Sequence, residues 1–218
     1  MRLYLSSFDL GHYPQALVAL TGTARRAAIV VNALDDHNED RANWLASQMH
    51  QLGKLGFTAV ELDLRDYFAR PDQLGPVLDQ LDLVWVSGGN TFVLRRAMKQ
   101  SGFDELIKQR LASDQIVYGG FSAGAVIAAP GLRGLETVDN PVLVPPGYDP
   151  EMIWDGLGLV PFAIVAHFLA NPPVSEAVDR TIAFLVQNAI PYRTLRDGEA
   201  LVIDGDHYKI AGFRSDGG

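Results

Sequence analysis

Short apolar runs alternate with helical patterns along most of this chain, and that alternation limits the fold more than any other feature. The runs at 27–32, 83–87 and 116–120 are short and mostly apolar, which predicts buried strands. The spacing of apolar residues over 41–55 and 91–100 predicts helices between them. Strands that alternate with helices form a parallel sheet covered on both faces, so we expect a three-layer α/β sandwich.

The remaining patterns extend this prediction to both ends of the chain. Further strands are expected at 1–6, 57–64 and 164–166, further helices at 13–20, 71–80 and 175–188, and a closing hairpin over 200–213. The segment 130–157 carries Pro, Gly and acidic residues and is expected to be irregular. Because we find no linker, repeat or low-complexity tract, we predict a single domain over 1–218.

Composition excludes several classes of function. The 218 residues include 26 acidic and 18 basic side chains, a net charge of −8, which argues against nucleic acid or an anionic membrane as a partner. There is no cysteine, so disulfides, thiolate nucleophiles and cysteine-bound metals are excluded. No apolar stretch approaches the ~20 residues of a membrane span, and the N-terminus lacks a signal-peptide pattern. We therefore expect a cytoplasmic protein.

The turn after the strand at 116–120 carries the first chemical signal. Residues 120–124 read Gly-Phe-Ser-Ala-Gly, the G-x-S-x-G pattern of a nucleophile elbow between a strand and a helix. Such a turn exposes the hydroxyl of Ser122 above the sheet, at a helix N-terminus that favours developing negative charge. The alternative interpretation is that Ser122 is only an N-cap.

A serine nucleophile requires a base and an orienting acid. His167 follows the apolar run 162–166 and is expected at the same edge of the sheet, although a packed histidine at a strand end is the alternative. Glu136 and Asp139 lie between Ser122 and His167 in sequence and are the candidate acids. Loop carboxylates are otherwise usually solvated.

A second glycine-rich turn follows the strand at 83–87. Gly88 and Gly89 allow a backbone N–H to face Ser122, which predicts an oxyanion hole made by the N–H groups of Gly89 and Ala123. We expect Gly88 and Asn90 to contact the substrate. The alternative is an ordinary glycine turn with Thr91 capping the next helix, whereas the usual phosphate-binding glycine patterns are absent.

These motifs together resemble the peptidase E family, the α-aspartyl dipeptidases and their relatives among serine peptidases. The resemblance is carried by the residues at 87–94 (SGGNTFVL), 119–130 (GGFSAGAVIAAP) and 156–168 (GLGLVPFAIVAHF), and by the closing ALVIDGD. It implies a flavodoxin-like fold of the class I glutamine-amidotransferase type. It also implies a triad of Ser122, His167 and an acid, with Gly89 and Ala123 as oxyanion donors.

The chain departs from the family pattern at two places. The family's usual aspartate lies fifteen residues after the serine, where this chain has Thr137, so Glu136 is the preferred acid and Asp139 the alternative. The arginine expected to bind an aspartyl side chain is replaced by Ala177, with Arg180 one turn later. Strict aspartyl specificity is therefore not predicted.

The predicted function is that of a serine exopeptidase or dipeptidase acting on short peptides, with a possible preference for an N-terminal acidic residue. We expect no metal or organic cofactor and consider a homodimer possible. One alternative is a cyanophycinase-like serine peptidase of other specificity. Another is a non-catalytic module in which Ser122 binds an anionic ligand without reacting.

Overall fold

The computed structural model describes the backbone of residues 1–212 and their side chains apart from those at positions 38 and 39, so residues 213–218 of the predicted domain lie outside it. The strands are β1 (Arg2–Ser6), β2 (Arg26–Val30), β3 (Thr58–Glu61), β4 (Leu83–Val86), β5 (Val117–Phe121), β6 (Ala163–Val165), β7 (Tyr192–Thr194), β8 (Ala200–Asp204) and β9 (His207–Ala211). The α-helices are α1 (Gln15–Thr21), α2 (Asn38–Lys54), α3 (Pro71–Leu78), α4 (Thr91–Ser101), α5 (Phe103–Ala112), α6 (Ala123–Val126) and α7 (Val174–Gln187).

Seven strands form one sheet in the order β3-β2-β4-β5-β1-β8-β9. The first five are parallel, and the hairpin β8–β9 adds two antiparallel strands beside β1. The prediction of a mainly parallel sheet is therefore confirmed. Because β8 runs against β1, with Ala200 opposite Ser6, the start of β8 lies at the same edge as the carboxyl ends of the parallel strands.

Both faces of this sheet are covered, which makes the fold a three-layer α/β sandwich. Successive residues of β1 point to opposite faces, so Leu3 and Leu5 join the core under α3–α6 while Tyr4 joins the core under α1 and α2. Trp85 lies in the second core, where it is fully buried and its Nε1 donates to Gln48 at 2.6 Å. The alternation predicted from sequence thus produces two separate apolar cores.

Several details differ from the sequence prediction, among them the strand β7, which was not predicted. Gly102 ends α4 in a left-handed conformation (φ 72°), and α5, which was not predicted, begins at the very next residue. The strand expected at 164–166 forms as β6, yet it pairs with β7 in a separate two-stranded sheet rather than with the main sheet. No helix among residues 1–212 is both long and apolar enough to cross a membrane.

Candidate active site

Ser122 lies at a strained turn between β5 and α6. Its φ of 48° and ψ of −118° fall outside the regions that L-residues normally occupy. The turn is tight because Gly124 approaches β4 so closely that a Cβ there would lie 2.2 Å from the carbonyl oxygen of Val86. The Ser122 side chain does not cap α6, so the N-cap alternative does not describe its hydroxyl.

His167 contacts that hydroxyl directly. Its Nε2 lies 3.0 Å from Ser122 Oγ, and its Nδ1 lies 2.8 Å from Oδ1 of Asp197. The backbone of His167 is left-handed (φ 58°) two residues after the end of β6. A hydroxyl, an imidazole and a carboxylate are thus connected in the order that nucleophilic catalysis by serine requires.

The carboxylate on the histidine is not one of the two predicted from sequence. Glu136 is exposed and accepts a hydrogen bond from the N–H of Gly134 at 2.7 Å, while Asp139 accepts from the N–H of Thr91 at 2.9 Å. The expectation that either of them holds Nδ1 of His167 is corrected, because Asp197 makes that contact. Asp197 comes from the loop that leads into β8 and reaches the site because β8 is antiparallel to β1.

Ser7, which the sequence analysis did not single out, links the parts of this arrangement. Its buried hydroxyl accepts from the backbone N–H of His167 at 2.7 Å and donates to Oδ1 of Asp197 at 2.8 Å. The backbone carbonyl of Ser7 also lies 3.1 Å from the N–H of Ser122. One residue at the end of β1 therefore contacts all three members of the candidate triad.

The glycine turn after β4 lies beside Ser122, as expected. A Cβ on Gly88 would lie 3.0 Å from Cβ of Ser122, and Gly89 has φ 135° and packs against the carbonyl of Ala33. Neither the N–H of Gly89 nor that of Ala123 donates a hydrogen bond to another of the described residues. Both amides therefore remain suitable as oxyanion donors, a role that stays a prediction.

The side-chain amide of Asn90 already forms hydrogen bonds within the protein. Its Oδ1 caps α4 by accepting from the N–H groups of Phe92 and Val93, and its Nδ2 donates to the carbonyl of Asn140 at 2.9 Å. Asn90 rather than Thr91 thus caps this helix. The predicted contact between Asn90 and substrate gains no support from this geometry.

A small cavity of about 40 Å³ opens beside Ser122 and His167. Its wall is mostly apolar, from Val126, Leu135, Val138, Ile164 and Val178, with the hydroxyl-bearing residues Thr91 and Thr181. Among the described residues that line it, Asp139 is the one carboxylate. Burial raises the pKa of Asp139, and hydrogen bonds from Thr91 act in the opposite direction.

The described lining of this cavity contains neither Lys nor Arg. Ala177 lies on α7, where the family resemblance leads one to expect an arginine, and Arg180 is exposed. Arg95 and Arg96 follow the glycine turn but are buried; Arg95 pairs with Asp104 at 2.9 Å. An acidic substrate side chain thus meets no cation in this cavity.

Comparison with known proteins identifies the family of this chain. The profile of peptidase family S51 matches residues 8–211. Peptidase E of Streptomyces coelicolor is 34% identical over 94% of this chain and 79% of its own length, and a probable alpha-aspartyl dipeptidase of Drosophila melanogaster is 27% identical over 91% and 80%. The fold matches a crystal structure of a candidate peptidase E from Listeria monocytogenes EGD-e with TM-score 0.78 and 24% identity over 98% of both chains. The chain therefore belongs to peptidase family S51, the peptidase E family of serine peptidases.

Proposed function

We propose that this peptidase is a serine dipeptidase or exopeptidase that cleaves short peptides through the triad Ser122, His167 and Asp197. The observation that carries the proposal is the continuous chain of contacts, 3.0 Å from Ser122 Oγ to His167 Nε2 and 2.8 Å from His167 Nδ1 to Asp197 Oδ1. Both distances lie within the hydrogen-bonding range of a base that activates a nucleophile.

In the acylation step, Ser122 Oγ attacks the peptide carbonyl while its proton passes to Nε2 of His167. Asp197 accepts the Nδ1 hydrogen, which fixes the tautomer and stabilises the imidazolium as it forms. The oxyanion is placed to accept hydrogen bonds from the N–H groups of Gly89 and Ala123. His167 then returns the proton to the leaving amine, the C–N bond breaks, and an acyl-enzyme remains.

In the deacylation step, His167 removes a proton from water, which attacks the ester carbonyl of the acyl-enzyme. Collapse of the second tetrahedral intermediate breaks the ester bond, and His167 returns the proton to Ser122 Oγ. The same residues thus serve both half-reactions, and the products are the freed amine and a carboxylic acid.

The small cavity supports short substrates. A space of about 40 Å³ suits a small group, and its apolar lining suits a small neutral residue. The Drosophila relative is named for aspartyl substrates, but the lining described above supplies no cation for an aspartyl carboxylate. We therefore propose that the enzyme prefers substrates with a neutral N-terminal residue over substrates with an acidic one. Location in the cytoplasm and assembly as a homodimer remain predictions.

Labelling with a fluorophosphonate tests the nucleophile. We expect one covalent modification per chain, mapped to Ser122 by mass spectrometry, and turnover lowered by several orders of magnitude in Ser122→Ala. A non-catalytic binding module predicts the opposite result, with no stoichiometric labelling and no hydrolysis of any member of a panel of dipeptides.

The acid is tested by comparing two carboxylates. Asp197→Asn is expected to lower kcat about 10⁴-fold, since the imidazole loses its orienting carboxylate. Glu136→Gln is the matched control and should retain normal activity, because Glu136 accepts only from the N–H of Gly134 among the contacts described. A large loss in Glu136→Gln with normal activity in Asp197→Asn would reverse the assignment.

A further inference from the structure

We propose that Asp139 binds the free α-ammonium group of the substrate's N-terminal residue. The ammonium would occupy the cavity next to Ser122, so that the enzyme selects peptides with an unmodified N-terminus. This proposal rests on the proposed function, because it places the ammonium next to the carbonyl that Ser122 attacks.

The location of Asp139 carries the first step of the argument. Its carboxylate lines the same cavity as Ser122 and His167, yet the triad contact on Nδ1 belongs to Asp197. In a peptide with a free N-terminus, the nitrogen is only two bonds from the first carbonyl carbon. A group that binds this nitrogen must therefore lie beside the nucleophile, as Asp139 does.

The surroundings of Asp139 disfavour the charged form of its carboxyl group when no cation is bound. Among the described residues it forms no ion pair with Lys or Arg, and its Oδ2 accepts from the N–H of Thr91 at 2.9 Å. Burial raises its pKa, and the nearby carboxylate of Asp36 raises it further, whereas Thr91 and His167 lower it. A cation bound in the cavity would supply the missing opposite charge.

Asp36 adds a second carboxylate to this region. Its side chain is 12% exposed, and its Oδ1 is buried without a hydrogen-bond partner among the described residues. Its other oxygen lies 3.2 Å from Nε2 of His37. Buried oxygens of this kind are rare, because an unpaired polar atom costs free energy. The field near Asp139 therefore favours a positively charged ligand.

The segment that carries Asp139 is fixed from both sides. Asn90 donates to the carbonyl of Asn140 at 2.9 Å, and the buried Arg96 donates to the carbonyl of Pro141 at 3.0 Å. The carboxylate also satisfies the N–H of Thr91 at the start of α4. An uncharged amide oxygen could also accept from that N–H, so substitution by asparagine separates the capping contact from the charge.

The volume of the cavity suits an α-ammonium group. About 40 Å³ is enough for roughly three water molecules, which suits an ammonium on Cα with a small side chain. The apolar residues around Asp139 also suit a small aliphatic side chain on the same N-terminal residue.

The test measures binding in a variant that cannot turn over its ligand. Alanyl-leucine and N-acetyl-alanyl-leucine are titrated by calorimetry into Ser122→Ala and into Ser122→Ala combined with Asp139→Asn. We expect the free peptide to bind at least about tenfold more tightly than the acetylated one in the first protein, as for a charge-assisted hydrogen bond. In the second protein this ratio should fall to about one.

Asparagine at position 139 keeps an oxygen acceptor for Thr91, so a purely structural role predicts an unchanged ratio, and that result overturns the proposal. Glu136→Gln in the same background is the matched control and should keep the full ratio. Equally tight binding of Nα-acetyl-lysyl-leucine, lost with Asp139→Asn, would assign the site to a side chain instead. Failure of fluorophosphonate labelling in the wild type would reject the proposed function separately, since the binding ratio does not depend on catalysis.

Discussion

At the scale of single residues, the hydroxyl of Ser7 ties the candidate base to its acid. It accepts from the N–H of His167 and donates to Asp197, so its removal leaves both partners less well positioned. Ser7→Ala is expected to lower kcat about 10- to 100-fold with a smaller change in KM, since small misplacement of catalytic groups is costly. Steady-state kinetics on a short peptide measures the effect.

Ser101→Ala is the matched control for that prediction. Ser101 is equally buried, but its hydroxyl donates to the carbonyl of Ala97 within α4. We expect its kcat to stay at the wild-type value even if its melting temperature falls. Equal losses of kcat in both variants would mean that Ser7 acts only through general stability.

A second prediction at the scale of single residues concerns the effect of Asp139 on how the free energy of unfolding depends on pH. Its folded pKa is raised, chiefly by burial, above the ordinary value of 3.8. The native state therefore holds its proton to higher pH than the unfolded chain does, and the protein loses stability as pH rises through the folded pKa. Asp139→Asn lacks this loss, because asparagine does not titrate.

We therefore expect the free energy of unfolding of Asp139→Asn, relative to the wild type, to improve as pH rises from 3.5 to 7. Denaturant titrations of both proteins at several pH values measure this difference. A difference that is constant across the range would mean that the pKa of Asp139 is ordinary in the folded protein.

At the scale of elements, a charged network joins the loops after β2 and β3 to α2. Arg41 on α2 contacts Asp35 at 2.7 Å and Asp63 at 2.9 Å, and Arg65 contacts Asp63 at 2.6 Å. Asn32 also donates to Asp63 at 2.9 Å. This network holds the loop that carries Asp36 and the backbone against which Gly89 packs.

Asp63 gives this network a measurable pH dependence. Although burial acts in the opposite direction, hydrogen bonds from Arg65 and Asn32 lower its pKa from 3.8 to about 2. Its contribution to stability is thus fully present above pH 4 and is lost as pH falls through about 2. Asp63→Asn should cost about 1 kcal/mol at pH 7, after solvent screening of this half-buried group.

The control for Asp63 is Asp66→Asn, because Asp66 is exposed and lies in the same short helical turn. Its unfolding free energy should match the wild type. Denaturant titrations at pH 7 and near pH 3 test this prediction. The difference in unfolding free energy between the wild type and Asp63→Asn should be smaller at the lower pH. A deficit that is independent of pH would assign the effect to lost packing rather than to charge.

The elements themselves were largely predictable, because each strand of the parallel sheet is a local apolar run between turn signals. The pairing of the strands was less predictable than their positions in the sequence. The strand β6 has the composition of a buried strand, but nothing in its three residues selects β7 over the main sheet as its partner. Asp197 was missed for a related reason: its approach to His167 depends on the antiparallel direction of β8. A hairpin whose first strand begins at the site edge is the signal that could have found it.

At the scale of the whole molecule, the site is assembled from units of unequal size. Ser7 and Ser122 lie at strand ends in the seven-stranded sheet, between two large apolar cores. His167 instead follows β6, which belongs to the two-stranded sheet with β7. Among the described residues, the buried members of the apolar cluster beneath that small sheet and α7 are Val165, Val178 and Leu185, whereas Ile164 and Ala166 join the large core under α3–α6. The candidate base is therefore carried by the smaller of the two units.

Because His167 is carried by the smaller sheet, we expect the active site to lose its structure under milder conditions than the seven-stranded sheet. A two-stranded sheet with three paired residues in each strand is marginal alone, whereas β4 and β5 are buried in the centre of the main sheet. We expect the amides of β6 and β7 to exchange with solvent deuterium faster than those of β4 and β5 under native conditions. Hydrolysis should also fail at a lower denaturant concentration than the change in tryptophan fluorescence, to which the buried Trp85 contributes. Equal protection of both sheets, together with coincident midpoints for activity and fluorescence, would instead mean that the whole molecule unfolds as one cooperative unit.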